Sequence, residues 1–321
     1  LTVDEINFDK YLTTEEKPPL SPETAAVGAT TLPNDLLRSL NGNGKIQIDR
    51  LNISGLTIEN LIVKGQANDG RIEINPLEAT LYGGKYAGMV SVDATKQDTA
   101  ININTQLDGI EIGPLLHDKT GSDYLKGSGS VKFHLKALGK SMEQLIRSAR
   151  GDSVITLSKG VFTGIDAPAL LATAEKILEC KCLQSPPKGG ATKFEKLNAS
   201  TVINNGSVVN NDFYVEGEGF VIQGSGRANL LKEQLQLDLA LAVPRSRVQS
   251  GERTYNLGGY SIPLRCKGDF QNPGCKPNLQ PMLKDIVKNK AKKKIEEVIS
   301  EKLKDTIGSD AEKALKKLFN F

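Results

Sequence analysis

Two histidines, His117 and His134, and four cysteines, Cys180, Cys182, Cys266 and Cys275, are the side chains in this sequence with most chemistry to offer. A histidine titrates near neutral pH and serves as a general acid or base once a nucleophile or carboxylate stands beside it. His134 lies between Phe133 and Leu135 in an alternating stretch, so its parity predicts a solvent-facing side chain. His117 follows Gly113-Pro114, which reads as a loop, and no G-x-S-x-G or comparable nucleophile motif accompanies it. Gly127-Ser128-Gly129 and Gly224-Ser225-Gly226 hold half of a dinucleotide fingerprint, but neither opens a helix or has the third glycine, and both read as turns. The expectation is a protein that is not an enzyme, with no catalytic residue and no cofactor.

The cysteines fall into two local pairs. A C-x-C is neither the C-x-x-C of redox centres nor that of zinc sites, and the interval from Cys266 to Cys275 fits no zinc signature. No metal is expected. Disulfides of an oxidising compartment are the expected state, as two local bridges or as one bridge and a free pair, because sequence alone does not select among the connectivities.

The elements that would carry these residues are mostly strands. Ile46/Ile48, Ile72/Ile74, Ile101/Ile103, Phe133/Leu135 and Leu237/Leu239/Leu241 each alternate with polar neighbours, which puts the apolar members on one face of a sheet. Ile58 belongs to the same pattern. Turn signals at Asn68-Asp69-Gly70 and Gly83-Gly84 divide the strands at short intervals, as in an antiparallel meander. Helices are expected at 36–40, 141–150 and 167–180 and throughout 281–321. The fold class is mainly β with a few helices: a long curved antiparallel sheet forming a hydrophobic groove or partly open barrel, capped by a C-terminal amphipathic helix. Three regions follow: 1–40, an N-terminal strand and proline-rich linker; 41–280, the curved sheet with inserted helices; and 281–321, the helical tail.

Charge is unevenly placed. The tail from Pro281 holds eleven Lys against seven Asp or Glu, a net of +4, so with +3 overall the remaining residues sum to −1. Lys292, Lys293, Lys294, Lys316 and Lys317 are therefore the candidate membrane- or partner-facing cations, with a solvated helix face as the alternative. Tryptophan is absent and aromatics are 5 % of the chain, too few for the stacking platforms of single-stranded nucleic-acid binders. No nucleic-acid partner is expected. No apolar run reaches the ~18 residues that span a bilayer. The sequence begins at Leu1 without a methionine, so an upstream segment is expected.

In chain order, Ile6-Asn7-Phe8-Asp9-Lys10-Tyr11-Leu12, Leu51-Asn52-Ile53-Ser54-Gly55-Leu56, Leu81-Tyr82-Gly83-Gly84-Lys85-Tyr86, Gly160-Val161-Phe162-Thr163-Gly164, Phe194-Glu195-Lys196-Leu197-Asn198-Ala199 and Ile262-Pro263-Leu264-Arg265 span nearly the whole chain. This ordered set resembles the C-terminal region of the AsmA family of Gram-negative envelope proteins. The resemblance implies a periplasmic protein, held in the inner membrane by an N-terminal anchor missing from this chain and related to bridge-type lipid carriers. It also implies phospholipid or another acyl-chain amphiphile as ligand, and an association with outer-membrane protein assembly.

Two functions follow as expectations. In the first, Ile46, Ile48, Ile58, Ile72, Ile74, Ile101, Ile103, Phe133, Leu135, Leu237, Leu239 and Leu241 line a groove that binds or conducts phospholipid between inner and outer membrane. In the second, the chain is a structural or assembly factor that docks on an outer-membrane or other envelope partner. Alternation does not distinguish a lipid-lined trough from an ordinary core.

Overall fold

The computed structural model describes residues 1–7, 31–53, 55–180, 185, 187–243, 257, 261–270, 273–280 and 284. Fourteen strands among them form one sheet whose spatial order is the sequence order. They are β1 (Thr2–Asn7), β2 (Gly42–Ile53), β3 (Leu56–Asn68), β4 (Arg71–Leu81), β5 (Gly84–Asp93), β6 (Thr99–Glu111), β7 (Leu125–Gly139) and β8 (Arg150–Thr163). The second half adds β9 (Ala191–Asn204), β10 (Ser207–Gly217), β11 (Phe220–Asn229), β12 (Gln234–Ala242), β13 (Ile262–Asp269) and β14 (Gly274–Pro277). Every neighbouring pair from β2 onward is antiparallel, as the turn signals require. The sheet does not close into a barrel, since β1 and β14 stand at its two ends.

The first strand departs from the meander. β1 runs parallel to β2, with Val3 opposite Ile48 and Ile6 opposite Leu51. A parallel pair needs a crossover rather than a hairpin, and residues 8–41 supply its length. The strand therefore belongs to the same sheet as the rest of the chain.

Register fixes the two faces. Directly opposed residues in antiparallel strands share a face, and one row runs Ile74, Val90, Ile103, Leu135 across β4 to β7. A second row runs Ile72, Val92, Ile101, Ala137. The alternate residues form polar rows, such as Asn104, His134 and Asp152 across β6 to β8, with Val202 next on β9. We call the two faces inner and outer.

Among the described residues four helices with complete bounds sit at the strand ends: α1 (Asn34–Ser39), α2 (Ile112–Thr120), α3 (Met142–Ser148) and α4 (Ala167–Cys180). Ser141 caps α3 by accepting a hydrogen bond from the Gln144 backbone N–H. The segment read as a loop around Gly113-Pro114 is the first turn of α2, where a proline loses no intrahelical hydrogen bond. α2 and α4 hold the two cores. Leu115 and Leu116 of α2 pack with Ile110, Leu157, Phe194, Leu197 and Val215. Leu170, Leu171, Ala174 and Ile177 of α4 are buried against Phe220, Leu241, Ile262 and Leu264.

Glycines inside strands let the backbones close up on the inner face. A Cβ on Gly129 would overlap the carbonyl oxygen of Thr156 on β8, and one on Gly151 would overlap that of His134 on β7. Neighbouring backbone thus leans toward the inner side at both positions, which is how a strongly coiled sheet curves toward one face. Gly129 and the pair Gly224 and Gly226 are consequently mid-strand residues of β7 and β11, not turn glycines.

Candidate functional site

The inner face of β4 to β13 has an unusual composition. Following the paired rows across these strands, its positions hold aliphatic, aromatic, glycine, cysteine and a few uncharged polar residues, but no Asp, Glu, Lys, Arg or His. The outer face of the same strands carries Lys132, Lys136, Asp152, Arg227, Asp238 and Arg265 among others, with Arg265 Nε 2.6 Å from Asp238 Oδ1. A charge moved to the inner face would lose hydration without gaining a partner, so this segregation sets up an uninterrupted apolar surface.

The candidate groove residues divide by what covers them. Ile72, Ile74, Ile101, Ile103, Phe133 and Leu135 belong to neither buried cluster, and each retains part of its surface. Leu237 is likewise outside both. Ile46 is 40 % exposed near the β1 end, whereas Ile48 on the same strand is buried. Ile58 lies beyond an irregularity at Asn60 (φ 51°), opposite Leu51 and Leu81. Leu239 and Leu241 are corrected from groove to core: Leu241 is fully buried under α4, and Leu239 packs against the same cluster. The inner face is thus filled by helix at the β11–β13 side; over β4 to β7, α2 packs at the end marked by Leu81, Leu107 and Leu125, and no described helix covers Ile72, Ile74, Ile101 and Ile103.

The outer face offers hollows but no convergent chemistry. A shallow depression of about 410 Å³ is walled by Arg71, Glu73, Ser91, Asp93, Asn102 and Lys136, and a second by Glu78, Met89, Asn104, Gln106 and Lys132. Both mix charges of opposite sign. His134 Nδ1 lies 3.4 Å from Asp152 Oδ1 on this exposed face, and His117 Nδ1 lies 3.5 Å from Asp123 Oδ2. Among the described residues neither pair has a hydroxyl or thiol nucleophile hydrogen-bonded to it. Among the described residues no group of three or more His, Cys, Asp or Glu is placed to hold a metal ion.

Two titrating groups mark structural joints. Tyr82 donates to Asp118 Oδ2 at 2.6 Å, tying the β4–β5 turn to α2, and burial together with that carboxylate pushes its phenol up to about 12. Asp212 accepts from the Ser200 hydroxyl at 2.6 Å and the Ser200 N–H at 2.8 Å, which holds its carboxyl below the usual range. It thereby satisfies backbone left open by the bulge in β10.

The cysteines are oxidised. Cys266 and Cys275 face each other across β13 and β14 and are disulfide-bonded, stapling the four-residue last strand to the sheet. Cys180, the last residue of α4, is also disulfide-bonded, and Cys182 lies outside the described residues. Lys292, Lys293, Lys294, Lys316 and Lys317, with the rest of the tail beyond Lys284, lie there too. No helix among the described residues is long and apolar enough to cross a membrane.

No curated protein and no solved structure matches the chain. The AsmA family model matches residues 20–213, from the β1–β2 crossover to the bulge of β10. That match covers more than half of the sequence, and the chain belongs to the AsmA family.

Proposed function

We propose that this protein is a non-enzymatic lipid-handling module of the Gram-negative envelope, and that its inner face over β4 to β7 holds the acyl chains of phospholipid or a similar amphiphile. The observation that carries the reading is the charge-free inner face, open where no described helix covers it. Apolar contact contributes about 25 cal/mol per Å² without directional demands. A surface of this kind accepts chains of varied length and lets them slide. Membership of the AsmA family fits an envelope location, and the bridge-type role is the function such a face serves best.

The test is lipid retention in protein extracted from the envelope without delipidation. Ile72→Asp or Ile103→Asp places a carboxylate on the inner face and is expected to remove co-purifying lipid while preserving the circular dichroism spectrum. Val202→Asp, on the outer face where the native side chain is 62 % exposed, is the control and is expected to retain lipid. Wild-type protein that carries no lipid, with inner-face variants that simply unfold, assigns these residues to an ordinary core.

A further inference from the structure

The inner face has a few polar residues, and the fold accounts for only some of them. Thr99 donates to Asn34 Oδ1 at 2.7 Å where α1 docks. Thr192 donates to the Ile165 carbonyl at 2.7 Å and accepts from the Ala167 N–H at 3.0 Å where α4 begins. Both lie at the strand ends. The others fall together mid-strand: Thr105 on β6, Ser153 on β8, Thr201 on β9 and Asn210 on β10, with Tyr86 of β5 hydrogen-bonded to Thr105.

Register lines these residues up. Thr105 is opposite Phe133, Phe133 opposite Ser153, and Ser153 opposite Thr201. Asn210 comes next on β10, its Nδ2 donating to the Ser200 carbonyl at 2.7 Å and facing Asp212 Oδ1 at 2.6 Å. With strands about 4.8 Å apart, the row from Thr105 to Asn210 runs about 19 Å across the sheet. Glycine flanks it at both ends, Gly88 opposite Thr105 and Gly226 opposite Asn210, and the neighbouring Thr105 and Leu237 side chains lie where a Cβ would stand.

The seam retains hydrogen-bonding capacity. The Ser153 and Thr201 hydroxyls share one hydrogen bond of 2.8 Å, and since only one can donate in it, the other keeps its proton to give. Asn210 is buried and its Oδ1 has no partner, a buried acceptor that a native structure rarely leaves unpaired. Donor and acceptor thus lie on adjacent strands within an otherwise apolar face, and the carboxylate that meets them, Asp212, is held by Ser200 and by Asn210 Nδ2.

We propose that this seam binds the uncharged linkage of an acyl-chain amphiphile, a carbonyl ester carrying a neighbouring hydroxyl, while the chain lies along Ile74, Val90, Ile103 and Leu135. The proposal rests on the lipid-binding reading of the inner face and adds to it a place where the sliding ligand stops. The Ser153–Thr201 pair donates to the carbonyl, and Asn210 Oδ1 accepts from the hydroxyl. A charged head group stays outside, because nothing on this face compensates it.

The experiment is displacement of N-phenylnaphthylamine from the purified protein by monopalmitoylglycerol, which has the ester and free hydroxyls, and by hexadecane, which has neither. The ratio of the two affinities is expected to fall about tenfold, the size of one lost hydrogen bond, in a Ser153→Ala/Thr201→Val double variant whose dye binding is retained. Tyr86→Phe/Thr105→Val, at the far end of the seam, is the second variant and is expected to lower the ratio less. In wild type, the carbonyl infrared band of isotope-labelled monopalmitoylglycerol is expected below its position in alkane, which needs no variant. A free-carbonyl band, or a ratio unchanged in the first variant, overturns the seam and leaves the apolar face standing. Failure of wild type to bind dye or either displacer overturns both.

Discussion

Individual side chains in this protein act through the face they occupy more than through their chemistry. Tyr82 is a case where both matter. Its phenol is raised to about 12 by burial and by its hydrogen bond to Asp118. A tyrosine that ionises near 10 when unfolded and near 12 when folded stabilises the fold fully below pH 10 and loses that contribution as pH rises toward 12. Thermal melts at pH 8 and 11 are expected to show a larger alkaline loss for wild type than for Tyr82→Phe, and equal losses would remove the α2 joint from the account. Gly151 is the steric counterpart. A Cβ there overlaps the His134 carbonyl, so Gly151→Val is expected to cost about 1–3 kcal/mol, read as a shift in denaturant midpoint. Much at this scale was legible beforehand: the parity of His134 against Phe133 and Leu135 placed it on the polar face, where it meets Asp152. The glycines were not, because a G-x-G inside a strand and one in a turn look alike until the neighbouring backbone is known.

At the scale of elements, pattern was informative wherever the surroundings were uniform. Helix α4 has the bounds its apolar spacing predicts, and the antiparallel order of β2 to β13 follows from the hairpin turns. Two features depended on distant partners. The parallel docking of β1 on β2 is decided by the crossover, which leaves no mark on the strand itself. Leu239 and Leu241 alternate as Ile101 and Ile103 do, yet α4 lies over the first pair and not over the second. The disulfide is the element-scale device most open to test. It closes a loop with a sequence separation of 9 residues, and chain-entropy reasoning assigns such a closure about 2–3 kcal/mol. Cys266→Ser/Cys275→Ser is expected to lower stability by that amount in chemical denaturation, and an unchanged midpoint would contradict the staple.

For the whole molecule, the governing feature is separation of charge between two faces of one continuous sheet. Its ends are closed differently, with helix packed over the inner face at β11 to β13 and no described helix over Ile72, Ile74, Ile101 and Ile103 of β4 and β6. A dry sandwich would bury Ile72, Ile74, Ile101 and Ile103 fully; here each keeps some exposure. Consecutive residues on β6 make the decisive comparison, since Ile103 lies in the inner row with Val90 and Leu135 and Asn104 in the outer row with Met89 and His134. A photoreactive amino acid at each position in turn, activated in living Gram-negative cells, reads out what each face touches. The account predicts lipid adducts at position 103 and none at 104; equal labelling at both positions, or protein-only adducts at 103, would contradict it.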